Sequence, residues 1–239
     1  MVDIVRFWKK PLLGCLFLVV VFGLCAAQVG PVTAAPMESS TPALQYPHLR
    51  GLSDATVQQK VNAQLADQEK SDLETRADCL KQNKLPANDR KEAMETIRVT
   101  YLSARFLSLL VRSTDYNCGA YPNIGVPVPM TLDLKTGDAV DWSSLFRTDF
   151  LTSTGRSRFQ ATRLYLSHYK QTDKDCLDAV KAGDSGFDFW LDAKKRVLVM
   201  TPDFPHVIQA CAEEVELPLT VVAPFVVDRA VADDWLRTR

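Results

Sequence analysis

A chain of 239 residues with 28 basic and 29 acidic side chains, and a formal net charge of −1, has no positive surplus to lay against a nucleic-acid backbone. Removing residues 1–34 from the 239 leaves 205, with 25 basic and 28 acidic side chains and a net charge of −3. That is room for one large domain or two small interlocked ones, and too weak a field to select a partner by charge alone.

The amino terminus reads as an export signal. Arg6, Lys9 and Lys10 precede an apolar run from Leu12 to Leu24, and small residues follow, with Val32-Thr33-Ala34 and the earlier Cys25-Ala26-Ala27 as cleavage sites. An uncleaved anchor is the rival, since no charge falls between Pro11 and Met37. Either way the basic flank stays inside and the rest of the chain is expected outside the cytoplasm, periplasmic or secreted. Membrane contact is expected only if the signal stays attached. Residues 35–44 read as a linker, and 45–239 as one domain in two halves, 45–120 and 121–239.

From Ser53, taken as an N-cap, Val57, Val61 and Leu65 recur every four residues and predict a helix with one apolar stripe. At Thr96 the period becomes two. Ile97, Val99 and Tyr101 predict a strand, Ser103-Ala104 a turn, and Arg105 to Arg112 a second, nearly all-apolar strand central in a sheet. Residues 121–129 contain three prolines and are expected to form a loop. Met130 to Asp133 with the turn Lys135-Thr136-Gly137-Asp138 predicts a hairpin, and 149–170 a helix of moderate signal. Phe187, Phe189 and Leu191 alternate with Asp188, Trp190 and Asp192 before Val197 to Met200 returns the chain in a second hairpin. Val215 to Val222 is a strand candidate broken by Pro218, and the last residues read as an amphipathic tail. The sum is an α+β domain with a mixed or antiparallel sheet built from hairpins and packed with two main helices.

Of six cysteines, Cys15 and Cys25 leave with the signal, while Cys79, Cys118, Cys176 and Cys211 enter an oxidising compartment as an even set. Four cysteines allow three pairings, of which Cys79–Cys118 and Cys176–Cys211 each close a local segment. Two disulfide staples are expected, since there is no C-x-x-C spacing for a zinc site, and neither metal nor cofactor is expected. Cys118 as a nucleophile would need His48, His168 or His206 brought to it by the fold. Asp133, Asp138 and Asp141 read as turn chemistry before they read as acid/base groups or calcium ligands. Asp184, Asp188 and Asp192 are placed at turns and on a solvent face. No H-E-x-x-H, G-x-S-x-G or phosphate-loop pattern is present.

The spelling YPHLRGLSD…VNAQL resembles the opening of the domain that accompanies PdaC-type peptidoglycan deacetylases. RFLSLLVRSTDYNCGAYP followed by MTLDLKTGDAVDWSSLF is similar to its companion domain of unknown function, also found outside the cell in RsiV-type anti-sigma factors. Together the matches span roughly residues 46–225. Tyr121 stands where that family has histidine, and both the deacetylase domain and a cytoplasmic anti-sigma segment are absent from the matched stretch. The resemblance implies an envelope location and binding of wall components or, as in RsiV-type sensors, of lysozyme, without catalysis. The loop holding Tyr116, Asn117 and Tyr121 beside its cysteine is the expected ligand-binding surface, able to present aromatic groups on a stiff frame. The expectation is thus a non-catalytic envelope binding module whose partner is a cell-wall glycan or an envelope protein. Its alternatives are a wall hydrolase using Asp133 or His206, and a docking subunit of an envelope complex.

Overall fold

In the computed structural model, residues 32–36, 45–83, 95–113, 116–117, 121–122, 127–151, 159–182 and 186–237 are described. Two short strands, Thr33–Pro36 (β1) and Pro47–Arg50 (β2), pair antiparallel ahead of a 29-residue helix, Ala55–Asn83 (α1). The cap of α1 is Asp54, one residue beyond the expected Ser53. Its Oδ1 accepts from the backbone N–H of Thr56 and Val57, at 2.8 and 3.1 Å. The predicted stripe is the buried face: Val61 and Leu65 are fully buried, and Val57 packs beside them.

Glu95–Leu102 (β3), Phe106–Ser113 (β4), Pro127–Asp133 (β7) and Asp138–Ala139 (β8) form a four-stranded sheet in the order β3-β4-β7-β8, antiparallel throughout. Between β4 and β7, Tyr116–Asn117 (β5) pairs with Tyr121–Pro122 (β6). β4 is central and buried on both faces, as its composition requires. Leu107, Leu109 and Val111 pack under α1 and β2 with Tyr46, Leu49 and Leu132, whereas Phe106 joins the larger core on the opposite face.

The expected proline loop extends only part of the way, because Pro127 and Pro129 lie within β7. They are tolerated for a geometric reason. The carbonyls of Thr131 and Asp133 accept from Val140 and Gly137, on the side away from β4. Residues two apart along a strand face the same way, so Pro127 and Pro129 turn toward that side too, where no ladder demands their missing N–H.

Helix α1 is fastened to the β7–β8 turn by polar contacts. Lys60 Nζ donates to the Thr136 carbonyl at 3.1 Å and to Asp138 Oδ1 at 2.6 Å, and Gln64 Nε2 donates to the Gly137 carbonyl at 2.6 Å. Gly137 has φ +75, and a side chain there would also crowd Lys60, which accounts for glycine at this turn.

The carboxyl-terminal half supplies a second antiparallel sheet, ordered β11-β10-β9, from Phe187–Asp192 (β9), Val197–Pro202 (β10) and Val215–Pro218 (β11). Short helices surround it: Trp142–Leu145 (α2), Phe159–His168 (α3), Lys174–Ala182 (α4), Leu219–Val222 (α5) and Arg229–Arg237 (α6). The helix expected over 149–170 is therefore shorter. A separate α4 follows it, started by Asp173, whose Oδ1 accepts from the N–H of Asp175 and Cys176. Pro218 ends β11 and opens α5. The amphipathic tail is α6, with Val231, Ala232 and Trp235 buried.

The two sheets meet where β9 lies against β3, β4 and β7. The seam combines an apolar cluster, Leu110 with Trp190, Val197 and Val199, with polar groups that meet partners. Ser108 Oγ, fully buried, sits 2.9 Å from Thr131 Oγ1 and accepts from the Leu191 N–H at 3.3 Å, while the Ala193 N–H donates to the Thr100 carbonyl at 2.8 Å.

Cys176 and Cys211 form the expected disulfide, closing a separation of 35 residues. Around it, Tyr165 Oη donates to the Glu213 carbonyl at 2.8 Å, Tyr169 Oη donates to the Cys211 carbonyl at 2.7 Å, and Glu213 Oε2 accepts from the Lys170 N–H at 2.8 Å. Burial of Tyr165 and Tyr169 pushes both phenols above their ordinary range, so they are fixed donors at any physiological pH. The side chain of Cys79 and the whole of Cys118 lie outside the described residues, so the second expected staple does too.

Candidate functional site

The carboxylates marked as turn chemistry are occupied as such. Asp133 holds the Arg105 Nε through both oxygens at 3.1 Å and accepts from the Lys135 N–H. Asp138 is held below its ordinary carboxylate range chiefly by the hydrogen bond from Lys60. Asp141 caps α2 by accepting from the Ser143 N–H at 2.9 Å. Each of the three thus has a structural part in a turn, an ion pair or a cap. His206 opens a 3₁₀ turn, His206–Cys211, and its side chain is outside the described set. Tyr116, Asn117 and Tyr121 contribute backbone to the β5–β6 ladder, and their side chains are likewise outside it.

Asp188 and Asp192 depart from the solvent face expected for them. Asp192 is buried, lies 3.7 Å from Arg98 and accepts from the Lys195 N–H at 3.0 Å. Both faces of β9 are covered, because the three-stranded sheet stands against the four-stranded one; Trp190, on the same side as Asp188 and Asp192, packs with Leu110, Val197 and Val199. A strand carrying Trp on its supposedly wet side was the available signal that this side is not wet.

Asp188 opens onto a cavity of about 480 Å³. Its walls are Val128, Pro129, Met130 and Thr131 of β7, Phe187, Asp188 and Phe189 of β9, Trp142 of α2, and Tyr46, Gln68 and Asp72 from the α1 side. Asp72 is pre-oriented, accepting from Tyr46 Oη at 2.6 Å and from Gln68 Nε2 at 2.8 Å. Trp142 is anchored by rings behind it, with centroids 5.4 Å from Phe189 and 6.1 Å from Phe146. Among the described residues the lining carries two carboxylates and no basic side chain.

Burial, and secondarily the nearby Asp203, raises the Asp188 pKa to about 6. A carboxyl whose folded value lies above its unfolded 3.8 favours the fold while protonated. Stability from this group is therefore greatest below pH 3.8 and is lost as pH rises through about 6. Asp188→Asn accordingly raises stability at pH 8 by about 1–2 kcal/mol, a figure reduced for the partial solvent contact of the group, and changes it little at pH 3.5. Thermal melts of both proteins at the two pH values check this. Equal gains at both would place the effect elsewhere.

A second cavity, of about 540 Å³, lies between β3, β4 and the β9–β11 sheet, with Ile97, Leu110, Trp190 and Val199 among its lining. Its charges are already matched: Arg98 with Asp192, Arg112 with Glu214, and Lys195 with Glu216. The first two pairs join the two sheets, the third lies within the carboxyl-terminal one, and together they leave the first cavity as the stronger candidate for a ligand.

No family model matches the chain, and no curated protein does. Among solved structures, a member of the DUF3298 family from Bacteroides fragilis is similar, with 14% sequence identity, a TM-score of 0.47, and coverage of 80% of this chain and 86% of that one. That neighbour is a domain of unknown function, without the narrower RsiV and PdaC names, and the likeness is too slight to bear on function. Among the described residues no helix is long and apolar enough to cross a membrane, and no group of three or more His, Cys, Asp or Glu side chains could hold a metal ion.

Proposed function

We propose that this protein is an exported, non-catalytic binding module of the cell envelope. Its ligand, a wall component or a wall-directed protein such as lysozyme, lies in the cavity between β7 and β9. The observation that carries the reading is the cavity lining: the aromatic rings of Trp142, Phe187 and Phe189, with Asp72 already oriented by two hydrogen bonds. Flat apolar walls with a few placed polar groups are what a ligand site offers. The leader-like amino terminus and the Cys176–Cys211 bond support an oxidising, extracytoplasmic setting. The resemblance to RsiV-type and PdaC-type extracellular domains supports the envelope.

Calorimetry of the oxidised protein with muropeptides and with lysozyme tests this. One of the two binds, and Val128→Arg, at a rim position 58% exposed and so tolerant of substitution, weakens it about tenfold. Absence of heat from both at high micromolar concentration would overturn the reading.

One observation favours a wall hydrolase instead. Asp188, raised to about 6 in an apolar-walled cavity, is poised to donate a proton. Release of new reducing ends or amines from peptidoglycan, lost in Asp188→Asn, would replace binding by catalysis.

A further inference from the structure

The two carboxylates of the first cavity stand in different states. Asp72 accepts from Tyr46 Oη and Gln68 Nε2, one bond to each oxygen. A carboxylate has about four acceptor positions, so roughly two stay open. Asp188 has no hydrogen-bonding or ionic partner among the described residues, and the charged group that bears on it is the like-charged Asp203. Glu69, on the same turn of α1 as Gln68 and Asp72, is 9% exposed, and its Oε2 meets no partner among the described residues. Negative charge therefore gathers on this side of the fold, and the described lining has no basic side chain to answer it. A partly buried carboxylate left unpaired is costly, and a cation brought to it relieves that cost.

The rest of the wall is aromatic. Phe189 is 2% exposed and backs the other two rings, with centroids 5.4 Å from Trp142 and 6.2 Å from Phe187. Trp142 and Phe187 are part-exposed and offer the surface a ligand can touch. The faces of such rings carry partial negative charge, so they attract a cation while covering its apolar stem. β7 and β9 lie directly against each other, which admits a slender group and shuts out a second backbone.

We infer that the cavity recognises a primary ammonium group on an unbranched alkyl stem: the ammonium is set against Asp188, within the field of Asp72, and the stem lies on Trp142 and Phe187. This rests on the cavity being the ligand site, and it names the group by which the ligand is held. A free amine on a muropeptide stem and a lysine side chain of lysozyme share this chemistry.

The probe is Nα-acetyl-lysine methylamide, titrated into the oxidised full-length chain at pH 8, above the Asp188 value of about 6, and followed at the Trp142 indole N–H resonance. The norleucine analogue, which keeps the stem without the ammonium, and the Nε-acetylated analogue each bind about tenfold more weakly. Asp188→Asn weakens the lysine probe about tenfold and removes most of its advantage over norleucine. Since that substitution is expected to stabilise the fold at pH 8, unfolding does not account for the loss. At the exposed rim, Val128→Glu keeps or tightens the lysine probe and Val128→Arg weakens it. Equal affinity for the three probes, unaltered selectivity in Asp188→Asn, or equal losses in the two Val128 variants overturns the ammonium site. Acetylating the amines of a muropeptide and the lysines of lysozyme separates the two sources, because the true ligand loses about tenfold. Should either bind with the Val128→Arg sensitivity and be indifferent to acetylation, the cavity remains the ligand site and ammonium recognition falls. Should the lysine probe bind through Asp188 while muropeptides and lysozyme both give no heat, the ammonium site stands and the wall ligand falls.

Discussion

Replacing Cys176 and Cys211 together by alanine lowers the melting midpoint by about 10 °C, corresponding to about 4 kcal/mol for a separation of 35 residues. The magnitude comes from the unfolded chain, which regains the freedom that the crosslink withheld. Alanine is the appropriate replacement because Cys211 is buried beside the core and a serine hydroxyl there would need its own partner. Melting the wild-type protein under reductant and the double variant without it gives the comparison. A variant as stable as the oxidised wild type would show that the bond braces nothing, and would remove one of the supports for an oxidising setting.

Trp235→Ala is the second large effect. Trp235, on α6, is fully buried, with ring centroids 6.4 Å from Phe106, 6.3 Å from Trp142 and 6.0 Å from Phe146. Its loss opens a void at the point where α6 closes the larger core, and costs about 3–5 kcal/mol in urea denaturation. Trp235→Phe costs well under half as much. The indole Nε1 has no hydrogen-bonding partner among the described residues, so phenylalanine forfeits packing volume without stranding an acceptor. Similar losses for the two variants would mean that the indole nitrogen is bonded after all. Trp142 also ties this core to the cavity between β7 and β9, so under the proposed binding role Trp235→Ala is expected to weaken ligand binding as well, and Trp235→Phe to spare it.

The hairpins and the helix stripe were legible in the sequence because each is a local matter. Met130, Leu132 and Leu134 alternate before a glycine turn, and Val57, Val61 and Leu65 fall on one face of α1 whatever lies elsewhere. Pro127 and Pro129 were harder, since a proline excludes a residue from a strand only where its N–H would have been used. That depends on which side β8 joins. Asp188 was misplaced for a related reason. Alternation assigns one side of a strand to water only if nothing covers it, and here a second sheet does. The candidate site was the least legible part, because β7 and β9 are some sixty residues apart in the chain and neither marks the other in its composition. The acidic turn around Asp133 was read well, its side chains closing on their own neighbourhood.

The tyrosine contacts beside the crosslink carry a consequence for wear. Tyr165 and Tyr169 grip the segment 211–213 independently of sulfur, and Lys170 adds a third hold. A molecule whose Cys176–Cys211 bond has been cut keeps the two thiols as close neighbours, at an effective concentration on the order of millimolar or above. A two-electron oxidant in the surroundings is then expected to re-form the original pair in preference to a bond with a stray thiol.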